Sequence, residues 1–298
     1  MMESYRRRGL LAGLAAAPLA LGALSRPALA AAPWPRAPYL PRNAEEWQVT
    51  TRDGRRYRVL VSWPFGEVPE EGWPSIFALD GNAMFPLLDG ACRLLADSQQ
   101  GVIVAIDFPL DEAVPDRRDF EYTLAGGETA QRHGGADLLL DSITEEIRPA
   151  VEAAFRLDPS RRALFGHSYG GLFALHALFA RDAGFNTILA ASPSIWWGNG
   201  VLVREAEAFR ARVPAADAPK PRLLLTYGAL EGRQPRPPGA PALPVRRIMG
   251  DNVRELASQL GALEGRFAAL EMQEFANENH GSVRAAAAGR AVPFAFAG

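Results

Sequence analysis

The sequence predicts an α/β fold, in which a mostly parallel β-sheet carries helices on both faces. Short apolar runs typical of buried strands alternate with helical patterns along most of the chain, as such a sheet requires. An antiparallel hairpin is expected before this alternation, because β-rich runs at 47–51 and 57–63 flank the turn dipeptide Asp53-Gly54. The chain has 298 residues, enough for one large domain of this class.

The elements after the hairpin are placed by their apolar patterns. Strands are predicted at 75–79, 102–106, 162–165, 185–191, 222–228 and 267–275. Helices are predicted at 84–96, 140–154, 172–179, 202–213 and 251–263, with a short last helix from 282 that ends at Pro293. Pro149 should bend or divide the 140–154 helix near Ile147. Irregular loops are expected at 107–135 and, because five prolines fall there, at 232–244.

The first 30 residues predict a signal peptide. Three arginines at 6–8 precede an apolar run at 9–24, and Ala28-Leu29-Ala30 supplies the small residues of a cleavage site. The paired arginines suggest export by the twin-arginine route. Since the run is short for a spanning helix and contains Pro18, we expect cleavage rather than a membrane anchor.

The predicted organisation is a signal peptide at 1–30, an extended, proline-rich leader at 31–45 and a single domain at 46–298. The mature protein would then be periplasmic or secreted. Removing residues 1–30 takes away four arginines and one glutamate, which leaves a net charge of about −5. That charge argues against nucleic acid or an anionic membrane as a partner.

Metal and cofactor sites are not predicted, because neither metal-ligand spacing nor a phosphate-binding loop occurs in the sequence. The single cysteine, Cys92, lies in an apolar helical run and cannot form an internal disulfide. We therefore expect a buried, inert thiol at this position.

The stretch Gly166-His167-Ser168-Tyr169-Gly170-Gly171 lies between a predicted strand and a predicted helix. The pattern G-x-S-x-G in that setting is typical of the nucleophile elbow of α/β hydrolases. Its glycines let strand and helix pass closely, and the helix N-terminus points N–H groups at a developing oxyanion. Ser168 is therefore the predicted nucleophile. The alternative is a glycine-rich turn whose serine only caps the helix.

A serine nucleophile needs a base, and His280 is the best candidate. In α/β hydrolases the order along the chain is serine, acid, histidine, and His280 follows the last predicted strand in a polar turn. His133 and His167 precede the serine. His176 is carried away from the serine on the following helix, so we expect it to be a core residue.

The acid should lie between the nucleophile and His280, at the carboxyl end of a strand. Glu231 fits, because it comes three residues past the strand at 222–228. Asp251 looks like a helix N-cap, and Glu278 is too near His280 in sequence to reach behind its ring. The alternative role for Glu231 is that of an exposed loop carboxylate.

The oxyanion hole needs two backbone donors. One should be the N–H of Tyr169, the residue after the nucleophile. The other should be the N–H of Asn82, just beyond Asp80-Gly81 and the strand at 75–79. The alternative for this second segment is an ordinary Asp-Gly turn.

Five motifs together resemble the esterase D-like α/β hydrolases: Asp80-Gly81-Asn82, Arg118-x-x-Glu121-Tyr122-Thr123, the elbow at 166–171, Ser192-Pro193-Ser194-Ile195-Trp196-Trp197, and Asn279-His280-Gly281-Ser282. Within that group the chain is most similar to the periplasmic siderophore esterases that open the trilactone of enterobactin and salmochelin. The resemblance covers about residues 47–280. It implies a serine esterase acting on catecholate siderophores, with Ser168 as nucleophile and His280 as base.

The resemblance also implies substrate-binding residues. Arg118 and Tyr122 fall on the family's Arg-x-x-Asp-Tyr-Thr-Pro motif, whereas Glu121 and Leu124 depart from it and leave the role of this loop open. Arg118 would either hold an anionic catecholate or pair with Glu121.

Trp196 and Trp197 would form an aromatic wall beside the pocket, or pack against the sheet. Other functions stay open because pocket walls, rather than the elbow, set specificity. They are an exported esterase for a feruloyl, acetyl or other small acyl group, an acyltransferase, and a non-catalytic protein that captures a siderophore. Iron would arrive only as part of the substrate.

Overall fold

An eight-stranded mixed sheet lies at the centre of this computed structural model, which describes residues 41–112, 114–125, 133–215, 217–232 and 248–296. The strands are β1 (Ala44–Thr50), β2 (Arg56–Ser62), β3 (Trp73–Ala78), β4 (Val102–Asp107), β5 (Leu157–His167), β6 (Thr187–Ala191), β7 (Arg222–Gly228) and β8 (Ala269–Phe275). Their order across the sheet is β1-β2-β4-β3-β5-β6-β7-β8. The β1–β2 and β2–β4 pairs are antiparallel, and the remaining pairs are parallel.

The predicted hairpin is confirmed, with Ala44 opposite Ser62 and Thr50 opposite Arg56. β1 begins at Ala44, so the last two residues of the predicted leader at 31–45 belong to a strand instead. The predicted signal peptide at 1–30 and the leader up to residue 40 lie outside the described residues.

The helices are α1 (Gly81–Arg93), α2 (Val114–Glu121), α3 (Ala136–Asp141), α4 (Arg148–Ala154), α5 (Tyr169–Phe179), α6 (Trp197–Ala211), α7 (Met249–Gly261) and α8 (Val283–Phe296). A π-helical segment, Ser142–Ile147, joins α3 to α4, and Pro149 lies in the first turn of α4. The helix therefore changes type at Ile147, the position near which Pro149 was predicted to bend or divide it. The helical path is continuous, because Ile147 and Arg148 keep right-handed helical angles and the N–H of Arg148 donates to the carbonyl oxygen of Ile143.

Two helices correct the sequence-based predictions. α2 lies inside the segment 107–135, where an irregular loop was expected, because its charged residues show no apolar repeat. α8 continues through Pro293, where the last helix was expected to end. Its buried side chains, such as Ala288 and Val292, pack on the sheet, and this burial offsets the roughly 3 kcal/mol that a proline costs inside a helix.

The start of α6 is irregular. Gly198, Asn199 and Gly200 have φ angles of 55°, 53° and 77°, in the left-handed region. Three such residues interrupt the right-handed helix, so regular geometry resumes close to the predicted start at 202. The consequence is that Trp196 and Trp197 stand on a bent connection rather than on a straight helix.

Two apolar clusters cover opposite faces of the sheet. Val104 and Ile106 of β4 belong to one cluster, whereas Ala105 between them belongs to the other, as expected for alternating strand residues. The first cluster contains residues of α3 to α7, and the second contains residues of α1 and α8. Helices on both faces are thus confirmed. None of the helices in the described ranges is long and apolar enough to cross a membrane.

Cys92 lies in the second cluster, buried and without a disulfide. Burial raises the pKa of its thiol, which disfavours the reactive thiolate. The expected buried position of this cysteine is confirmed.

Candidate active site

Ser168 occupies the turn between β5 and α5, with φ 62° and ψ −116°. A non-glycine residue held in such a conformation costs about 1–3 kcal/mol and persists only where its surroundings enforce it. The turn is tight, since a β-carbon at Gly166 would lie 1.9 Å from the carbonyl oxygen of Gly170. One at Gly171 would lie 2.9 Å from the carbonyl oxygen of Ala191. The side chain of Ser168 makes no capping hydrogen bond, so the alternative role as a helix cap is not supported.

The structure brings Ser168, His280 and Glu231 together. The hydroxyl oxygen of Ser168 lies 3.0 Å from Nε2 of His280. On the other side of the ring, Nδ1 of His280 lies 2.9 Å from Oε2 of Glu231. The three residues come from the carboxyl ends of β5, β7 and β8, which meet at one edge of the sheet. This arrangement can move a proton from the serine to the imidazole while the carboxylate fixes the tautomer.

Glu231 is held rigidly behind the imidazole. Its side chain is buried, which excludes the exposed loop carboxylate that was the alternative. Oε1 accepts hydrogen bonds from the N–H of Gly228, at 2.7 Å, and from the hydroxyl of Ser192. Oε2 is thereby directed at His280. Sequence reasoning did not assign this supporting role to Ser192, although it lies in one of the five motifs.

Asp251 is not the N-cap of α7 that was predicted. Ile248 occupies that place, and Asp251 lies in the first turn and pairs with Arg254 three residues later. The hydroxyl of Ser194 lies 3.5 Å from that of Ser168, so a second serine borders the nucleophile. Glu231 remains the carboxylate in contact with His280.

Asn82 does not have the free N–H that was predicted for the oxyanion hole. Its backbone N–H donates to Oδ2 of Asp107 at 2.7 Å. The N–H of Asp80 is also engaged, since it donates to the hydroxyl of Tyr122 at 3.0 Å. Between them, the N–H of Gly81 has no hydrogen-bond acceptor among the described residues. Gly81 therefore replaces Asn82 as the candidate donor from this loop.

Gly81 is fixed by tight packing. Asp80 adopts a left-handed conformation, with φ 56° and ψ 42°, immediately before α1. A β-carbon at Gly81 would lie 2.7 Å from the carbonyl carbon of Ala105. A larger residue would displace the loop from β4. The other predicted donor, Tyr169, is the first residue of α5 and follows the nucleophile directly.

Arg118 does not pair with Glu121, which was one of its two predicted roles. Its guanidinium donates to both carboxylate oxygens of Asp80, at 2.5 and 2.9 Å. Glu121 instead accepts from Arg117, at 2.8 Å, and from the hydroxyl of Tyr57, also at 2.8 Å. Arg118 thus holds the loop that precedes α1, and a paired guanidinium is less available to an anionic ligand.

Tyr122, which was predicted to bind substrate, is 1% exposed, so its side chain lies in the core and does not face an open site. Burial raises the pKa of its hydroxyl well above the ordinary value, which keeps the group neutral. Its hydroxyl accepts the N–H of Asp80, and Arg118 lies over its ring at 4.9 Å from the centroid. Tyr122 therefore supports the Asp80–Asn82 loop from inside the core.

The two tryptophans have different environments. Trp197 is 8% exposed and its indole N–H donates to the carbonyl oxygen of Leu124 at 3.4 Å, so it packs into the protein. Trp196 is partly exposed and faces Tyr169, with ring centroids 6.2 Å apart. Only Trp196 remains well placed as a wall of an open site.

His176 is buried, as expected for a core residue. Its Nδ1 lies 2.9 Å from a carboxylate oxygen of Glu205, and its Nε2 lies 3.2 Å from Asp137. Burial alone would lower the pKa of His176, but the two carboxylates together raise it above the ordinary value. The charged form of this ring is therefore favoured, and it has no hydroxyl to activate.

Comparisons with known proteins agree with this geometry. A family model described as "Putative esterase" matches residues 50–229. The chain is 35% identical to the siderophore enterobactin esterase of Emericella nidulans, over 84% of this chain and 93% of that protein. It is 36% identical to the siderophore triacetylfusarinine C esterase of Aspergillus fumigatus, over 85% and 93% respectively. The siderophore hydrolase EstB from Aspergillus nidulans superposes with a TM-score of 0.74 at 36% identity, over 87% of this chain and 96% of that one.

Proposed function

Because the chain belongs to the esterase family that includes these siderophore esterases, we propose that it is a serine hydrolase of catecholate-type siderophores. The observation that carries the proposal is the contact of Ser168 with His280 at 3.0 Å and of His280 with Glu231 at 2.9 Å. The similarity to two named siderophore esterases, over 84% and 85% of this chain, supports a siderophore ester as substrate, and the enterobactin esterase among them supports a catecholate.

The reaction begins when Nε2 of His280 takes the proton of Ser168 as the serine oxygen bonds to an ester carbonyl carbon. The carbonyl oxygen becomes an oxyanion, which accepts the backbone N–H groups of Tyr169 and Gly81. Glu231 stabilises the imidazolium that has formed. The imidazolium then gives its proton to the leaving alkoxide, which departs as an alcohol, and an acyl-enzyme remains.

The second half of the reaction uses the same groups on water. His280 accepts a proton from a water molecule while the water oxygen bonds to the acyl carbon. The second tetrahedral intermediate collapses, Ser168 recovers its proton and the free acid leaves. In a cyclic trilactone, the first such cycle opens the ring, and later cycles shorten the linear product.

We further propose that the protein acts after export, in the periplasm or outside the cell. The arginines at 6–8, the apolar run at 9–24 and the small residues at 28–30 support a signal peptide. A fusion of residues 1–35 to a reporter that is active only outside the cytoplasm tests this. Activity lost on replacing Arg6 and Arg7 by lysine would support the twin-arginine route, and an inactive wild-type fusion would refute export.

The test of function is hydrolysis by purified residues 31–298, with product masses followed by chromatography. Enterobactin, ferric enterobactin and p-nitrophenyl butyrate are offered side by side, with the Ser168→Ala variant as the control for spontaneous hydrolysis. We expect the trilactone to be cut stepwise to linear trimer and shorter pieces, faster than butyrate. Butyrate cleavage with an untouched trilactone would keep the mechanism and reject the siderophore. Siderophore binding without turnover of any ester would favour a capture protein.

A further inference from the structure

A cavity of about 340 Å³ opens at the carboxyl ends of β3, β4 and β5, and the residue that precedes the nucleophile is part of its lining. Its lining includes Asp80, Asn82, Asp107, Arg118, His167 and Arg284. His167 precedes Ser168 directly, and Arg284 follows His280 by four residues. The volume lies at the small end of the roughly 300–1,000 Å³ usual for ligand sites, so the cavity suits one ring-sized group.

His167 contributes a polar ring to the lining of this cavity. The residue is 7% exposed, and its Nε2 has no hydrogen-bond partner among the described residues. Burial lowers the pKa of His167 to about 3, so the ring is neutral at ordinary pH. A buried polar atom left without a hydrogen-bond partner is unfavourable. Nε2 itself is buried in the free protein, so a ligand hydroxyl reaches it only after the ring turns toward the cavity. A hydroxyl then satisfies Nε2 in either tautomer, because it both donates and accepts.

Arg284 is the available cation of the cavity. Its Nε donates to the carbonyl oxygen of Gly281 at 2.9 Å, and no carboxylate in the described part of the chain lies within ion-pair distance. Arg118, in contrast, is already paired with Asp80 through two hydrogen bonds. The side chain of Arg284 is exposed and can therefore move onto a ligand without breaking an ion pair.

Two carboxylates provide acceptors in the same cavity. Both oxygens of Asp107 already accept backbone N–H groups, from Phe108 and Asn82 at 2.7 Å each. A carboxylate oxygen has a further lone pair, so Asp107 and Asp80 can each accept another hydrogen bond. The cavity therefore combines acceptors for hydroxyl protons with one cation for electron-rich oxygen.

We propose that this cavity, which we call the head pocket, binds one iron-free dihydroxyphenyl head of the siderophore, with Arg284 as the specificity-determining residue. The inference rests on the proposed function. A free catechol carries two protons that it can donate to Asp107, Asp80 or His167. In the ferric complex those oxygens have lost their protons to metal coordination, and the three heads are tied around one ion. The head pocket therefore favours the iron-free substrate.

The first experiment measures selectivity, the ratio of kcat/KM for iron-free enterobactin to kcat/KM for p-nitrophenyl butyrate. We expect Arg284→Ala to lower this ratio at least about tenfold through a higher KM for the trilactone, which corresponds to losing one charge-assisted contact. Arg290→Ala is the matched control, because Arg290 lies on the same helix and pairs with Glu271 away from the cavity. An unchanged ratio in Arg284→Ala, or an equal fall in Arg290→Ala, would overturn the proposal.

The second experiment separates failure of the head pocket from failure of the proposed function. Butyrate hydrolysis is inhibited with 2,3-dihydroxybenzamide, with benzamide as the control that lacks hydroxyls. We expect competitive inhibition by the dihydroxy compound alone, about tenfold weaker in Arg284→Ala. Inhibition that depends on Arg284 would support the pocket even if the wild type left the trilactone intact. If the trilactone is cleaved but inhibition is the same in the wild type and in Arg284→Ala, the head pocket is refuted and the proposed esterase function stands.

Discussion

Two histidines of this protein have a carboxylate oxygen 2.9 Å from Nδ1, yet their surroundings differ at Nε2. Nε2 of His280 faces the hydroxyl of Ser168 at 3.0 Å, and its side chain is 44% exposed. Nε2 of His176 faces a second carboxylate, Asp137, at 3.2 Å, in a buried position.

The difference shows that a histidine–carboxylate pair does not by itself identify a general base. Two carboxylates favour the imidazolium of His176, whose pKa they raise against the effect of burial. A base must instead be neutral before the reaction and must have an acidic proton within reach. His280 meets the second condition through Ser168, whereas His176 acts as a polar tie between α3, α5 and α6.

The largest loss of activity should come from removing the nucleophile or the base. We expect Ser168→Ala and His280→Ala each to lower kcat for p-nitrophenyl butyrate by about 10⁴- to 10⁶-fold, because the two groups act as one unit. Thermal unfolding of both variants serves as the folding control. More than about 1% of the wild-type kcat in a folded variant would contradict the assignment.

The next largest loss of activity should come from changing Glu231, the carboxylate beside His280, and not from changing Glu205, the carboxylate beside His176. Glu231→Gln should lower kcat by about 10²- to 10⁴-fold, because the amide no longer stabilises the imidazolium of His280. Glu205→Gln is the matched control, since it makes the same change beside His176, and its kcat should stay within about twofold of the wild type. A loss below about tenfold in Glu231→Gln would remove Glu231 from the catalytic set.

His176 should affect stability, in a manner that depends on pH. Because its folded-state pKa is raised, the added stability is complete below the unfolded pKa of about 6.5 and is lost as pH rises through the folded-state value. We expect His176→Gln to lower the free energy of unfolding by about 1–3 kcal/mol at pH 5.5, and by less at pH 9. Urea unfolding at both pH values measures the difference. A larger loss at pH 9 would reverse the assigned charge.

The smallest effect concerns two buried tyrosine hydroxyls. Tyr122→Phe removes the acceptor of the Asp80 N–H and should loosen the loop that carries Gly81, so kcat should fall about tenfold. Tyr57→Phe is the control, because its hydroxyl donates to Glu121 away from the proposed oxyanion hole. We expect that variant to lose stability but to keep kcat within about twofold. Equal kcat values in the two variants would argue against a role of Tyr122 in positioning Gly81.

The parallel strands and the elbow could be predicted from sequence because each rests on local information. β7 lies at 222–228 as its apolar run indicates, and the glycines around Ser168 fit only a turn of this kind. The position of Glu231 followed from a rule about strand ends. Such features depend on residues that are close in sequence or on an order that the fold imposes.

Other features could not be predicted because they depend on contacts between distant residues. Nothing local indicates that Asp107 takes the N–H of Asn82, or that Arg118 turns to Asp80 rather than to Glu121 three residues away. The helix α2 could not be predicted because its sequence is highly charged. Nothing in that sequence indicates that its last residue, Glu121, is buried. Pro293 was read as a helix end, since the pattern does not report how deeply α8 packs.

The strained backbone of Ser168 also leads to an expectation about how this position changes in evolution. Glycine adopts a positive φ without the penalty that alanine retains, so Ser168→Gly should have a higher melting temperature than Ser168→Ala, although both are inactive. A lineage released from selection for hydrolysis would gain stability by drifting to glycine at this position. Serine is less favourable than glycine in this backbone conformation, so we expect serine at this position where selection maintains a working nucleophile.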